Sequence, residues 1–199
     1  NSGQSCISVQ RIYVHQEVLE PFTKMLKEKV ENLIVGDPLV ENSDIGTMVN
    51  KQAADRVMSW IEEALESGAT LVTGGKQNGA TITPTVLLNP PSRAKVVCEE
   101  VFGPVVSIIP YTSIDEAIKE TNNSPFGLQA GLFTNSMDLI YKVSRELEVG
   151  GVVINGTSNF RLDHLPYGGI KNSGVGREGP HYAIQEMTEM KMIVFQYPN

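Results

Sequence analysis

Apolar positions recur at helical spacing in two early stretches, Val18, Phe22, Met25, Leu26, Val30 and Leu33, then Ala54, Val57, Met58, Ile61 and Leu65. Each predicts an amphipathic helix with one buried stripe. Thr70–Thr73 then predicts a short strand that ends on Gly74-Gly75. Thr83–Leu88 is a second extended segment, and Pro84, which lacks an N–H for the ladder, points it to a sheet edge or a strand start. Val105–Tyr111 is a continuous apolar run interrupted by Ser107 and Pro110. Ser113-Ile114-Asp115-Glu116 has the form of a capping box, the serine capping a helix and the glutamate reaching back. Leu128–Thr134 predicts a strand, Leu139, Ile140, Val143 and Leu147 a helix, and Gly150–Asn155 a buried strand. A glycine-rich stretch, Tyr167–Gly179, leads to a short helix and a last strand, Lys191–Gln196. That strand either closes the sheet or leaves the domain to pair elsewhere. Strands alternating with helices of this length predict an α/β fold, a three-layer domain with a central, mainly parallel sheet.

Composition narrows the function classes. The 199 residues suit one domain, or one with a small appendage. No segment approaches the roughly 18 consecutive apolar residues of a membrane helix. The net charge of −7 provides no basic field, so neither nucleic acid nor an anionic membrane is an expected partner. Cys6 and Cys98, far apart, do not form a disulfide framework and fit a reducing, cytoplasmic setting. No signal-peptide pattern is visible, and the chain opens on Asn1 rather than methionine. No metal-ligand cluster is expected.

Three stretches carry candidate chemistry. In Asn1-Ser2-Gly3-Gln4-Ser5-Cys6, the cysteine is either a small buried residue or a nucleophile. Gly3 permits close backbone approach, and the N–H of Cys6 could serve as an oxyanion donor. In Cys98-Glu99-Glu100-Val101-Phe102-Gly103-Pro104-Val105, the two carboxylates and the ring form either an exposed turn or a site for ligand hydroxyls and a flat heterocycle. In the third, Gly174-Val175-Gly176-Arg177-Glu178-Gly179 matches G-x-G-x-x-G literally. The dinucleotide fingerprint needs a strand directly before it and a βαβ unit around it, whereas Lys171-Asn172-Ser173 precedes it here, so this match is a decoy.

Taken together, these motifs resemble those of the aldehyde dehydrogenase superfamily. Residues 1–6 are similar to its nucleophile motif and residues 99–105 to its nicotinamide-ribose motif. Pro166-Tyr167-Gly168-Gly169-Ile170-Lys171-Asn172-Ser173-Gly174 and Gly176-Arg177-Glu178-Gly179 resemble its C-terminal signature. They stand in family order, and the likeness runs over essentially the whole chain. The resemblance implies that Cys6 attacks an aldehyde as thiolate and passes through a thiohemiacetal and a thioester. It implies that Glu100 binds the nicotinamide ribose, that Phe102 supports the ring or ribose, and that NAD or NADP is the cofactor. Thr157, Phe160, Arg161 and His164 become candidate substrate contacts and Tyr167 a pocket wall. Phe160-Arg161-Leu162-Asp163-His164 hints at a polar or anionic aldehyde.

The resemblance further implies a catalytic domain over residues 1–187 and a strand of an oligomerisation arm over 188–199, hence a homodimer or higher homo-oligomer. The family's general base, in a Glu-Leu-Gly-Gly context upstream of the cysteine, is not found in this sequence. The chain is therefore expected to be truncated at its N-terminus and inactive by itself, without most of its cofactor site. Two rival readings stay open. A cysteine hydrolase or acyltransferase would pair Cys6 with His15, His164 or His181. A non-catalytic module would only self-associate. Cys98 is expected to be buried.

Overall fold

The computed structural model describes residues 1–198. In chain order its elements are β1 (Arg11–His15), a turn of 3-10 helix (Gln16–Val18), α1 (Leu19–Glu31), α2 (Lys51–Glu66), β2 (Thr70–Thr73), β3 (Gln77–Asn78), β4 (Thr81–Ile82), β5 (Thr85–Leu88), α3 (Lys95–Cys98), β6 (Val105–Tyr111), α4 (Ile114–Asn122), β7 (Phe126–Gly127), β8 (Gln129–Leu132), α5 (Met137–Glu146), β9 (Gly151–Ile154), β10 (Ile170–Lys171) and α6 (Pro180–Met187).

The main sheet runs β1-β6-β5-β2. β1, β6 and β5 are parallel, and β2 joins antiparallel at one edge. Alternation along the strands sends side chains to two cores. Val14, Val86 and Ile108 face Leu19, Phe22, Leu26 and Val30 of α1. Leu87 and Val105 face the other way, onto Ala54, Val57 and Ile61 of α2 and Val96 and Val97 of α3. Helix, sheet and helix therefore make the expected three layers. Fully burying a large aliphatic side chain contributes about 1.5–3 kcal/mol, which α2 gains at Val57 and Ile61, whereas α1 has no fully buried residue and is held by a half-buried stripe.

A second, smaller ladder pairs β8 with β9 in parallel, and β7 meets β10 antiparallel. Its geometry depends on a close backbone approach at Gly150, where a Cβ would fall 1.7 Å from the Gly168 carbonyl oxygen. The turn carrying Tyr167 is thereby pressed against the start of β9.

Pro84 directly precedes β5, which lies between β6 and β2 inside the sheet, so of the two expected places the proline takes the strand start. Three expectations need correction. Residues 151–154 are half-buried rather than buried, since β9 has only β8 as a ladder partner. Cys98 is half-buried, at the end of a four-residue helix too short to cover it. Finally, Lys191–Gln196 is not a strand. Among the described residues no strand pairs with it, and Met192 and Phe195 are 84% and 80% exposed. A strand exists only by virtue of its ladder, and none is offered here.

Candidate active site

The loop bearing the thiol is tied down before it reaches Cys6. Ser2, buried at a positive φ of 54°, donates its hydroxyl to the Gly46 carbonyl at 2.9 Å. The Gln4 amide accepts from the Val49 N–H at 2.8 Å and donates to the Thr47 carbonyl at 3.3 Å. Gly3 has a φ of +69°, and a Cβ there would sit 2.1 Å from the Gly103 carbonyl oxygen. The nucleophile motif therefore lies directly on the Gly-Pro turn of the second motif, some hundred residues away in sequence. Cys6 itself is exposed.

One side chain spaces the two motifs. Gln10, just before β1, accepts from the Val101 N–H at 3.0 Å and donates to the carbonyls of Glu99 (2.6 Å) and Val96 (3.2 Å). Arg56 of α2 donates to the Val101 carbonyl at 2.6 Å from the other side. The peptide between Glu100 and Phe102 is thus clamped while both flanking side chains stay out. Glu100 is exposed, and Phe102, at a φ of +49°, is 41% exposed as a residue. Cys6, Glu100 and Phe102 line the same small cleft, of about 40 Å³.

The third stretch reaches the thiol through Tyr167. Its hydroxyl oxygen lies 2.8 Å from Cys6 Sγ, while the residue as a whole is only 8% exposed. Burial first, then the hydrogen bond and charge of Cys6, push the phenol up to about 12. Arg161 stacks over the ring, its Cζ 4.2 Å from the centroid, and pairs with Glu178 at 2.9 Å. Ser158 donates to the Ile7 carbonyl at 2.8 Å, which anchors the 157–165 loop beside the thiol, and Gln129 of β8 holds the Ser158 and Phe160 carbonyls.

Of the residues expected from sequence, Cys6, Glu100, Phe102, Arg161 and Tyr167 are thus brought together. Thr157, Phe160 and His164 lie exposed on the same loop, and among the described residues His164 forms no hydrogen bond or ion pair. The other histidines are engaged elsewhere. His15 contacts the Thr112 carbonyl at 3.2 Å, and His181 contacts Gln185 at 3.2 Å. The side chain that meets the thiol is a tyrosine, which removes the geometric basis for a cysteine–histidine hydrolase. Gln10, Arg56, Gln129 and Ser158 escaped sequence reading because each acts through backbone carbonyls or N–H groups. The G-x-G-x-x-G match is a surface turn with Val175 fully exposed, preceded only by the two-residue β10.

The chain is similar to known proteins along nearly its whole length. A 3-sulfolactaldehyde dehydrogenase of Priestia aryabhattai is 53% identical over 194 residues, which are 98% of this chain and 41% of that protein. A lactaldehyde dehydrogenase of Methanococcus maripaludis is 42% identical, over 98% of this chain and 42% of that protein. Aldehyde dehydrogenase 21 of Physcomitrella patens, solved with the reaction product succinate, superposes with a TM-score of 0.95 at 40% identity, covering 98% of this chain and 40% of that one. A glyceraldehyde-3-phosphate dehydrogenase of Methanocaldococcus jannaschii complexed with NADP gives 0.92 at 39%, covering 96% and 41%. The chain thus spans about two fifths of the length of the relatives it matches. With residues 1–193 matching the family's sequence pattern throughout, the chain belongs to the aldehyde dehydrogenase family.

Proposed function

We propose that this chain is the thiol-bearing part of an NAD(P)-dependent aldehyde dehydrogenase that oxidises a short, polar aldehyde to its carboxylic acid. The observation that carries the reading is the cleft shared by Cys6, Glu100 and Phe102. The Cys6 thiolate adds to the aldehyde carbonyl, and the developing oxyanion is directed to the Cys6 N–H, which donates to no protein acceptor among the described residues. Glu100 and Phe102 fit a nicotinamide ribose and its ring. The carboxylate is exposed and, among the described residues, makes no ion pair, and the aromatic face is open. A bound nicotinamide would supply the hydride acceptor. Residues 1–187 form the catalytic unit in this reading. In the same reading the deacylating base and the nucleotide fold correspond to the part of the relatives' length that this chain does not span.

The substrate class follows from the relatives' names and the 157–167 loop. A three-carbon aldehyde with a hydroxyl or a terminal anionic group, as in sulfolactaldehyde or lactaldehyde, suits the polar edge made by Thr157, Arg161 and His164. Arg161 is already paired with Glu178, so it lends this edge only part of its charge. The test is NAD or NADP reduction by the full-length protein with sulfonated, hydroxylated and plain short aldehydes. Turnover fastest with the first two and abolished in Cys6→Ser is expected. Turnover that survives Cys6→Ser would remove the reading. A second reading, self-association through residues 188–198, is favoured by their exposed Met190, Met192, Ile193, Val194 and Phe195.

A further inference from the structure

Among the described residues, the Tyr167 hydroxyl is the side-chain group hydrogen-bonded to the Cys6 sulfur. A pocket wall would need only the ring. Here the backbone of Tyr167 is held and its ring is covered by Arg161, contacts that position the oxygen. Tyr167 and Glu178 exchange backbone hydrogen bonds, the Tyr167 N–H reaching the Glu178 carbonyl at 3.2 Å and the Glu178 N–H returning to Tyr167 at 2.6 Å. The Glu178 carboxylate holds Arg161 at 2.9 Å, and the Arg161 Cζ lies over the Tyr167 ring, 4.2 Å from its centroid. Pairing and stacking together need the planar guanidinium fork of arginine. Behind the turn, Arg177 donates to the Gly169 carbonyl at 3.1 Å.

We propose that Tyr167 is a catalytic residue that donates its phenolic hydrogen to the Cys6 sulfur, favouring the thiolate and fixing its direction of attack, with Arg161 and Glu178 as positioning residues. This rests on the reading of Cys6 as the nucleophile. A hydrogen bond to the charged form of an acid favours ionisation, and one to a charged acceptor is about twice as strong as a neutral one. The phenol keeps its proton throughout, because burial and the neighbouring sulfur hold it near 12. The thiol proton leaves to solvent, to which Cys6 is open. When the sulfur then bonds to the carbonyl carbon, the carbonyl π pair moves onto oxygen, the sulfur loses its charge and the bond from Tyr167 weakens. The charged groups facing this pair are Arg161 and Glu178 beside the ring and Glu100 across the cleft.

The test is peptide-resolved alkylation of Cys6 by iodoacetamide in the full-length protein, from about pH 5 to about pH 10, a range that spans thiolate formation. Tyr167→Phe keeps the ring and removes only the donor, and the midpoint of the rate profile is expected to rise. Glu178→Gln removes a negative charge facing the pair as well as one end of the brace, so its midpoint should lie below that of Tyr167→Phe. An unmoved or lowered midpoint in Tyr167→Phe would overturn the proposal. Alkylation needs neither aldehyde nor nicotinamide, so this outcome is separate from the turnover test of the dehydrogenase reading.

Discussion

Replacing Gly3 by alanine should damage the site more than any other single methyl group added to the nucleophile loop. Two costs add. A residue with a Cβ at a φ of +69° pays about 1–2 kcal/mol for the left-handed conformation. The new methyl would also lie 2.1 Å from the Gly103 oxygen and 2.6 Å from its carbonyl carbon. Bringing the former even to 3.0 Å requires the two loops to separate by about 0.9 Å. Forcing packed groups apart costs about 1–3 kcal/mol, for a total near 2–5 kcal/mol. The melting temperature should fall, and by more than the left-handed conformation alone would cause. The same displacement separates Cys6 from Glu100 and Phe102, and a misplacement of about 1 Å is worth about 10²-fold in rate. The control is Gly79→Ala, at a φ of +60° with nothing within 4 Å, which pays the backbone cost alone. Thermal unfolding and turnover of the full-length protein are the assays. If Gly3→Ala and Gly79→Ala lower stability equally and both keep full turnover, the close approach does not hold the site.

Two further expectations concern other parts of the chain. Thr112 donates its N–H, at 3.1 Å, and its hydroxyl, at 3.0 Å, to the Glu116 carboxylate, which holds that group below the usual carboxylate range, with the Ser113 N–H helping. A depressed carboxyl stabilises the fold fully above its unfolded value and loses that contribution as pH falls through the folded one. Glu116→Gln should therefore flatten the acid limb of the stability curve, seen as a smaller change in melting temperature between neutral and acid pH; an unchanged limb would show the contact to be inert. Removing residues 188–199 should lower the oligomeric state measured by light scattering. Equal masses with and without them would dispose of their role as an assembly arm.

Much of the fold is legible in the apolar periods, because α2, β5 and β6 bury their stripes and α1 half-buries Phe22, Leu26 and Val30, although Val18, Met25 and Leu33 of its expected stripe are exposed. The shortest elements are not. β3, β4, β7 and β10 are two residues each, and their pairing follows from what surrounds them. β1 carries a visible alternation in Arg11-Ile12-Tyr13-Val14-His15 but is a brief edge strand with one buried residue, so its signal is thin. The last segment shows the reverse error. Met192-Ile193-Val194-Phe195 has a strand's composition, yet a pattern of side chains cannot supply the backbone partner that a strand requires. At the site, Cys6, Glu100 and Phe102 could be named from motif likeness. That Tyr167 meets the thiol with its hydroxyl, and not merely with its ring, depends on where the turn after β9 is pressed, which no local spacing encodes.

The Gln10 amide has a consequence for how loss of activity is interpreted at this position. Its nitrogen serves two carbonyls and its oxygen one N–H, all within the 96–101 segment, so both halves of the amide are used at once. Glutamate of the same length has no hydrogen to give at neutral pH, lysine has no lone pair to offer, and asparagine is one methylene short. Position 10 therefore tolerates almost no exchange although it touches no reacting atom. A variant there would pass as a catalytic knockout in an activity screen while its thiol stayed fully alkylatable. Its defect is one of calibration, the gap between the Cys6 thiol and the Glu100 carboxylate set wrong by a fraction of an ångström.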